Sequence, residues 1–215
     1  MQGFTIYIVL LEVSAMSNQS PATENNTAKF GLYDIVVIGL MAAVCFVTTY
    51  FLRIEIPTPA GPTNIKVGNI FCLLAGLLFG GLRGGLAAGI GSMFFDLLNP
   101  AYISSAPFTL VFFFMMGFVC GLVSHLGGRK GANLTFNIIG AAAGALSYFV
   151  LHISKSIITL MLAGSDFTAA VVACSTKMIT SGINVVTAVV ASVILVIPLR
   201  IALTKAGVYK KINVK

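Results

Sequence analysis

Two lysines interrupt the longest apolar runs of this chain, Lys155 within 135–163 and Lys177 within 169–199. An ionisable group inside such a run is expensive and usually functional. Tyr148, His152, Lys155 and Thr159 follow each other at spacings of 4, 3 and 4, and Lys177, Ser181 and Asn184 at 4 and 3, so each set occupies one face of a helix. Two polar stripes of this kind can face a common cavity. Asp96 and Asn99 close one apolar run and Lys66 and Asn69 open another, with Tyr102 just beyond. The candidate binding residues are therefore Lys66, Asn69, Asp96, Asn99, Tyr102, Tyr148, His152, Lys155, Lys177 and Asn184.

Their chemistry is recognition of a polar solute. Lys66, Lys155 and Lys177 have only Asp96 placed near them, and a buried ammonium without a partner costs several kcal/mol. A ligand bearing a carboxylate, a phosphate or several strong acceptors would supply the missing counter-charge, with Tyr148 or Tyr102 as a stacking surface. Two blander readings compete: Lys155 snorkels to the lipid headgroups, and Lys177 pairs with Asp96 as structural glue. His152 taken alone reads more readily as a satisfied core group.

Catalysis is not indicated. The chain has no G-x-x-x-x-G-K-[ST], and GGRKGA does not fit that spacing. It has no H-E-x-x-H, no Ser/His/Asp arrangement and no acidic cluster, and His125 and His152 are 27 residues apart. Cys45, Cys72, Cys120 and Cys174 lie in apolar stretches without paired spacing, which suggests neither a disulfide framework nor a zinc site. The expectation is a non-enzyme with no cofactor, no metal and no nucleic-acid partner.

The elements that must position these residues are membrane helices. The 215 residues are 58% hydrophobic and 9% charged, with a mean hydropathy of +1.00. The 13 basic and 6 acidic side chains cannot cover the surface of a soluble domain. A crossing needs about 20 apolar residues, and six segments qualify: 33–52, 67–82, 84–98, 108–126, 135–163 and 169–199. Residues 67–98 are too long for one crossing, and the glycines around Arg83 in FGGLRGGL permit a turn between two shorter ones. RIEIPTPAGPTNIK, with its three prolines, reads as an exposed loop.

The expected fold is an all-α, six-helix membrane bundle over 31–204, preceded by a disordered segment 1–30 and followed by a basic cytoplasmic tail 205–215. Residues 1–15 are too short to span and lack a basic start, and Met16 is an alternative first residue. A cytoplasmic N-terminus places Lys29, Arg83, Arg129, Lys130, Arg200, Lys205, Lys210, Lys211 and Lys215 inside, against Arg53 and Lys66 outside. That bias puts both termini in the cytoplasm. Small residues four apart recur (Gly39/Ala43, Gly76/Gly80, Gly81/Gly85, Gly85/Gly89, Gly117/Gly121, Gly140/Gly144) and allow close helix packing. Gly39/Ala43 could instead face a partner protein.

NIKVGNIFCLLAGLLFGGLRGGLAAGIGSMFFDLL followed by SSAPFTLVFFFMMGFVCGLVSH resembles the substrate-binding S components of energy-coupling-factor (ECF) importers, and among them the riboflavin-type S component family. The resemblance covers 33–199. It implies a subunit of the prokaryotic plasma membrane that captures a water-soluble vitamin or precursor from outside, under a seal formed by the loop between the first two spans. It further implies a transmembrane T component, met at Gly39 and Ala43, and two ATPase subunits. The family pattern leads one to expect an acidic residue where this chain has Asn69. A self-sufficient ion-coupled secondary transporter or channel, with His152, Lys155 and Asp96 as a proton path, is the alternative.

Overall fold

A computed structural model describes residues 31–211 except Pro59, Arg129 and Lys130. The expectations for segment 1–30, for Lys29, for the Arg129–Lys130 pair and for the last four residues lie outside the described residues. The order is α1 Leu32–Phe51, β1 Arg53–Ile56, β2 Thr63–Lys66, α2 Gly68–Phe79, α3 Gly81–Leu98, α4 Ala106–Ser124, α5 Leu134–Leu162, α6 Phe167–Lys205 and a final turn, α7 Val208–Lys211. Short 3-10 turns at Ile103–Ser105 and Leu126–Gly128 flank α4.

Four of these helices, α1, α4 with its preceding turn, α5 and α6, are long and apolar enough to cross a membrane. Their polarity is inverted relative to a soluble bundle. Along α6, Val172, Ile179, Val186, Val190 and Ile194 point outward at 54–67% exposure, whereas Lys177, Ser181, Asn184 and Ser192 are buried. On α1, Ile35, Val36, Leu40 and Val47 are likewise exposed while Asp34 and Thr49 are buried. An apolar exterior around a partly polar interior suits lipid and not water.

The 12-residue α2 is about 18 Å long at 1.5 Å per residue, short of a full crossing. It is apolar on every side, and it packs against all five of the other long helices. Leu73, Leu74 and Leu77 are completely enclosed. A helix that protein surrounds on all sides needs no lipid-spanning length of its own.

The break between α2 and α3 falls at Gly80, with φ +84°, and not at Arg83. Only the glycine reaches that left-handed region cheaply. Arg83 lies instead in the first turn of α3, where its Nε is 2.8 Å from Asp34 Oδ1 of α1. The carboxylate lets a charge sit at the bundle's end without ending a helix.

The repeated glycines mark helix crossings. A Cβ at Gly76 would lie 2.6 Å from the Gly117 carbonyl oxygen, one at Gly85 2.8 Å from that of Phe114, and one at Gly144 2.5 Å from that of Met116. Gly39 differs, because nothing lies within 4 Å of a Cβ there.

One expectation needs correcting. Residues 53–66, expected as an exposed loop, contain two strands: β1 and β2 form an antiparallel hairpin with Arg53 opposite Lys66 and Ile56 opposite Thr63. RIEI and TNIK are short β-compatible runs separated by turn residues, so the architecture is a helical bundle carrying a two-stranded hairpin. At the C-terminal end of the described residues, α6 continues to Lys205 through Pro198 and α7 follows. Tyr209 of α7 packs against Phe79, with 6.5 Å between ring centroids.

Candidate functional site

Alternating chain direction brings the hairpin, the 99–105 connection and the 163–166 connection to one end of the bundle. Beneath the hairpin lies a cavity of about 90 Å³. Its walls come from β2 (Thr63, Asn64, Lys66), α3 (Asp96), the following connection (Tyr102, Ser105), α4 (Phe108, Thr109, Phe112, Phe113), α5 (Tyr148, His152, Lys155, Ser156) and α6 (Lys177, Ser181, Asn184). Tyr148, His152 and Lys155 of the first stripe and Lys177, Ser181 and Asn184 of the second line it.

Eight of the ten candidates line this space: Lys66, Asp96, Tyr102, Tyr148, His152, Lys155, Lys177 and Asn184. Asn69 does not; it sits in the first turn of α2, 2% exposed and turned into the bundle. Asn99 does not either, because its side chain caps its own turn by accepting from the Ala101 amide at 3.1 Å. Thr159, a member of the α5 stripe, is exposed and donates back to the Lys155 carbonyl at 2.8 Å.

Each lysine has a different environment. Lys177 does not pair with Asp96; its Nζ donates to the carbonyl of Ala60 in the hairpin turn at 2.5 Å. Lys155 Nζ donates to Ser105 Oγ at 2.7 Å and lies 5.0 Å from the Phe108 ring centroid. Lys66 Nζ stands 4.5 Å from the Phe113 centroid and 5.8 Å from that of Phe95, a cation over two ring faces. Burial lowers the Lys66 pKa below its ordinary value and nearby Asp96 partly restores it. The Asp96 carboxylate accepts a short hydrogen bond from the Thr109 hydroxyl.

Asn184 joins α6 to the hairpin twice. Its Oδ1 accepts from the Lys66 amide at 3.1 Å and its Nδ2 donates to the Asn64 carbonyl at 2.6 Å. Together with Lys177, it fastens both β2 and the turn to one helix.

The aromatic candidates are already in contact with neighbours. Tyr148 stacks on His152 with centroids 5.4 Å apart and planes 14° from parallel, and its other neighbour is Phe113 at 4.5 Å. Tyr102 is 6.1 Å from Phe95. Its hydroxyl is buried without a well-formed hydrogen bond, and burial, followed by the Glu55 carboxylate, raises its pKa to about 12.

Thr63, Asn64, Ser105, Thr109 and Ser156 line the cavity but do not stand out in the sequence. Ser105 and Thr109 are four apart at the polar start of α4, which was the available signal. Asn64 lies in the stretch expected to be an exposed loop.

An apolar helical exterior and an internal, charged, hairpin-covered cavity define the class: a helical membrane protein with a polar cavity at one end of its bundle. Residues 29–203 match the family described as "ECF-type riboflavin transporter, S component", and the chain belongs to that family of transporter subunits. A Pyrococcus woesei protein described as "Uncharacterized protein in gap 3'region" is 37% identical over 102 residues, covering 47% of this chain. The match spans 66% of that protein's length, just under two thirds.

Proposed function

We propose that this chain is the substrate-capture subunit of an ECF-type importer in a prokaryotic plasma membrane, taking up a water-soluble vitamin or precursor. The observation that carries the reading is the polar cavity at the hairpin end, closed over by β2 and fastened by Lys177 and Asn184. In this reading the six long helices each count as a membrane pass. The hairpin end is extracellular, and both termini are cytoplasmic in accord with the distribution of lysine and arginine. The binding residues are those candidates that line the cavity.

Neither a nucleotide-binding motif nor a chain of intramembrane acids is available to drive accumulation. Transport therefore depends on a T component and two ATPase subunits. The unfilled face of α1 at Gly39 and Ala43 supports a helix-to-helix contact there, because small residues with nothing packed on them admit a close partner.

The test is uptake into cells or liposomes by the chain alone and with T component and ATPases. Accumulation only in the complete, ATP-supplied system is expected. Uphill uptake by the chain alone under a proton gradient would establish the secondary-transporter alternative. Single cysteines at exposed hairpin positions should react with an impermeant thiol reagent from outside the cell, and labelling only from inside would refute the orientation.

A further inference from the structure

Granted the capture reading above, on which this step rests, the charges around the cavity narrow the class of solute. Lys66, Lys155 and Lys177 face it, with Asp96 as the one lining carboxylate. Each of the latter two ammonium groups spends one of its three N–H donors inside the protein, Lys177 on the Ala60 carbonyl and Lys155 on Ser105 Oγ. The Asp96 carboxylate accepts from the Thr109 hydroxyl and offsets part of the Lys66 charge, but it makes no hydrogen bond or ion pair with Lys66 among the described residues.

Lys66 is different. Its ammonium lies over the faces of Phe113 and Phe95, and ring faces use none of its three N–H donors. Lys66 is partly exposed, so a neutral solute that displaced water from its ammonium would leave the charge without an acceptor, which is unfavourable. A carboxylate or phosphate oxygen would complete it with a short charge-assisted hydrogen bond.

We propose that the cavity takes an anionic solute, and that its carboxylate or phosphate is received by Lys66 Nζ with Lys155 as the second donor. The cavity of about 90 Å³ is well below the roughly 300–1,000 Å³ of sites that enclose drug-sized molecules. The anionic group and a small part of the solute fill it under the closed hairpin; a bulkier solute requires the hairpin to move. Lys66 also links ligand to cover, because its own amide is held by Asn184. An anion that orders the Lys66 side chain therefore favours the closed position of β2.

The experiment uses the full chain in lipid nanodiscs and matched pairs of probes that differ chiefly in one anionic group: riboflavin 5'-phosphate and riboflavin, pantothenate and panthenol, nicotinate and nicotinamide. Calorimetric titration should show the anionic member of at least one pair binding at least about tenfold more tightly than its neutral partner. Lys66→Met should weaken that member by about a hundredfold and abolish the preference. Lys66→Arg, which keeps the charge, should retain the preference and controls for folding. A neutral member that binds as tightly as its anionic partner overturns the inference while leaving the capture reading intact, as does a preference that survives Lys66→Met. If no probe binds and mass spectrometry finds no solute extracted from the purified chain, the capture reading fails and the inference with it.

Discussion

Replacing Asn184 by alanine removes both hydrogen bonds that join α6 to β2, to the Asn64 carbonyl at 2.6 Å and from the Lys66 amide at 3.1 Å. A two-stranded hairpin is marginally stable by itself, so this one depends on such ties. Each bond contributes about 1 kcal/mol net, and more if the stranded backbone group stays dry. Water reaching the polar cavity would solvate the freed groups, so about 2 kcal/mol in total is the appropriate figure. That corresponds to roughly a thirtyfold shift toward the detached hairpin. Hydrogen–deuterium exchange in nanodiscs reads it directly: the Lys66 amide should exchange about thirtyfold faster, while amides within α2 and α4 keep their wild-type protection. Lys177→Met should loosen the turn around Ala60 in the same assay, through loss of its bond to that carbonyl. If Lys66 protection in Asn184→Ala stays within about threefold of the parent, the β1–β2 ladder holds the hairpin unaided and α6 is not its anchor.

Gly39→Leu or Ala43→Leu should abolish ATP-driven uptake while leaving the dissociation constant for solute unchanged, because a Cβ at Gly39 meets nothing within the chain; normal uptake by both variants would remove α1 from the partner interface. Gly76→Val should lower the melting temperature, since its Cβ must displace the Gly117 carbonyl, which would lie only 2.6 Å away. Overpacking of this kind costs about 1–3 kcal/mol, and an unchanged melting temperature would show that α2 and α4 can separate freely. Binding of an anionic probe should weaken as pH rises into the alkaline range. The Lys66 pKa is held below its ordinary 10.5 by burial, with Asp96 and Cys72 raising it and Arg53 lowering it; the anion requires the protonated form, so affinity is lost as pH rises through this lowered pKa. His152, Lys155 and Tyr148 share the cavity, so Lys66→Arg is the control: it should flatten the alkaline limb, and an unchanged limb would assign the titration to another group.

The helices were legible because lipid imposes a simple rule on sequence. Apolar runs of sufficient length had to be helical, and polar residues at spacings of three and four had to share a face, so Lys155 and Lys177 could each be set on a polar helix face from spacing alone. What spacing does not encode is the partner of a polar group. Lys177 and Asp96 are opposite charges on neighbouring walls, yet Lys177 reaches a backbone carbonyl and Asp96 a threonine hydroxyl. Backbone acceptors exist at every residue and carry no side-chain signature. The same limit explains the hairpin: three prolines and a glycine around the turn obscured two four-residue strands, whose pairing is stabilised by α6, more than a hundred residues away in sequence. Asn69 and Asn99 lie at the hairpin end without lining the cavity, because a residue at a helix terminus can face the cavity, the bundle or its own turn. Lys66 stood at the same kind of boundary, and only the positions of Phe95 and Phe113 reveal that its ammonium is carried inward over aromatic rings. Its significance therefore comes from what surrounds it: it is the lining lysine whose ammonium makes no hydrogen bond among the described residues, which is why the proposed anion is assigned to it.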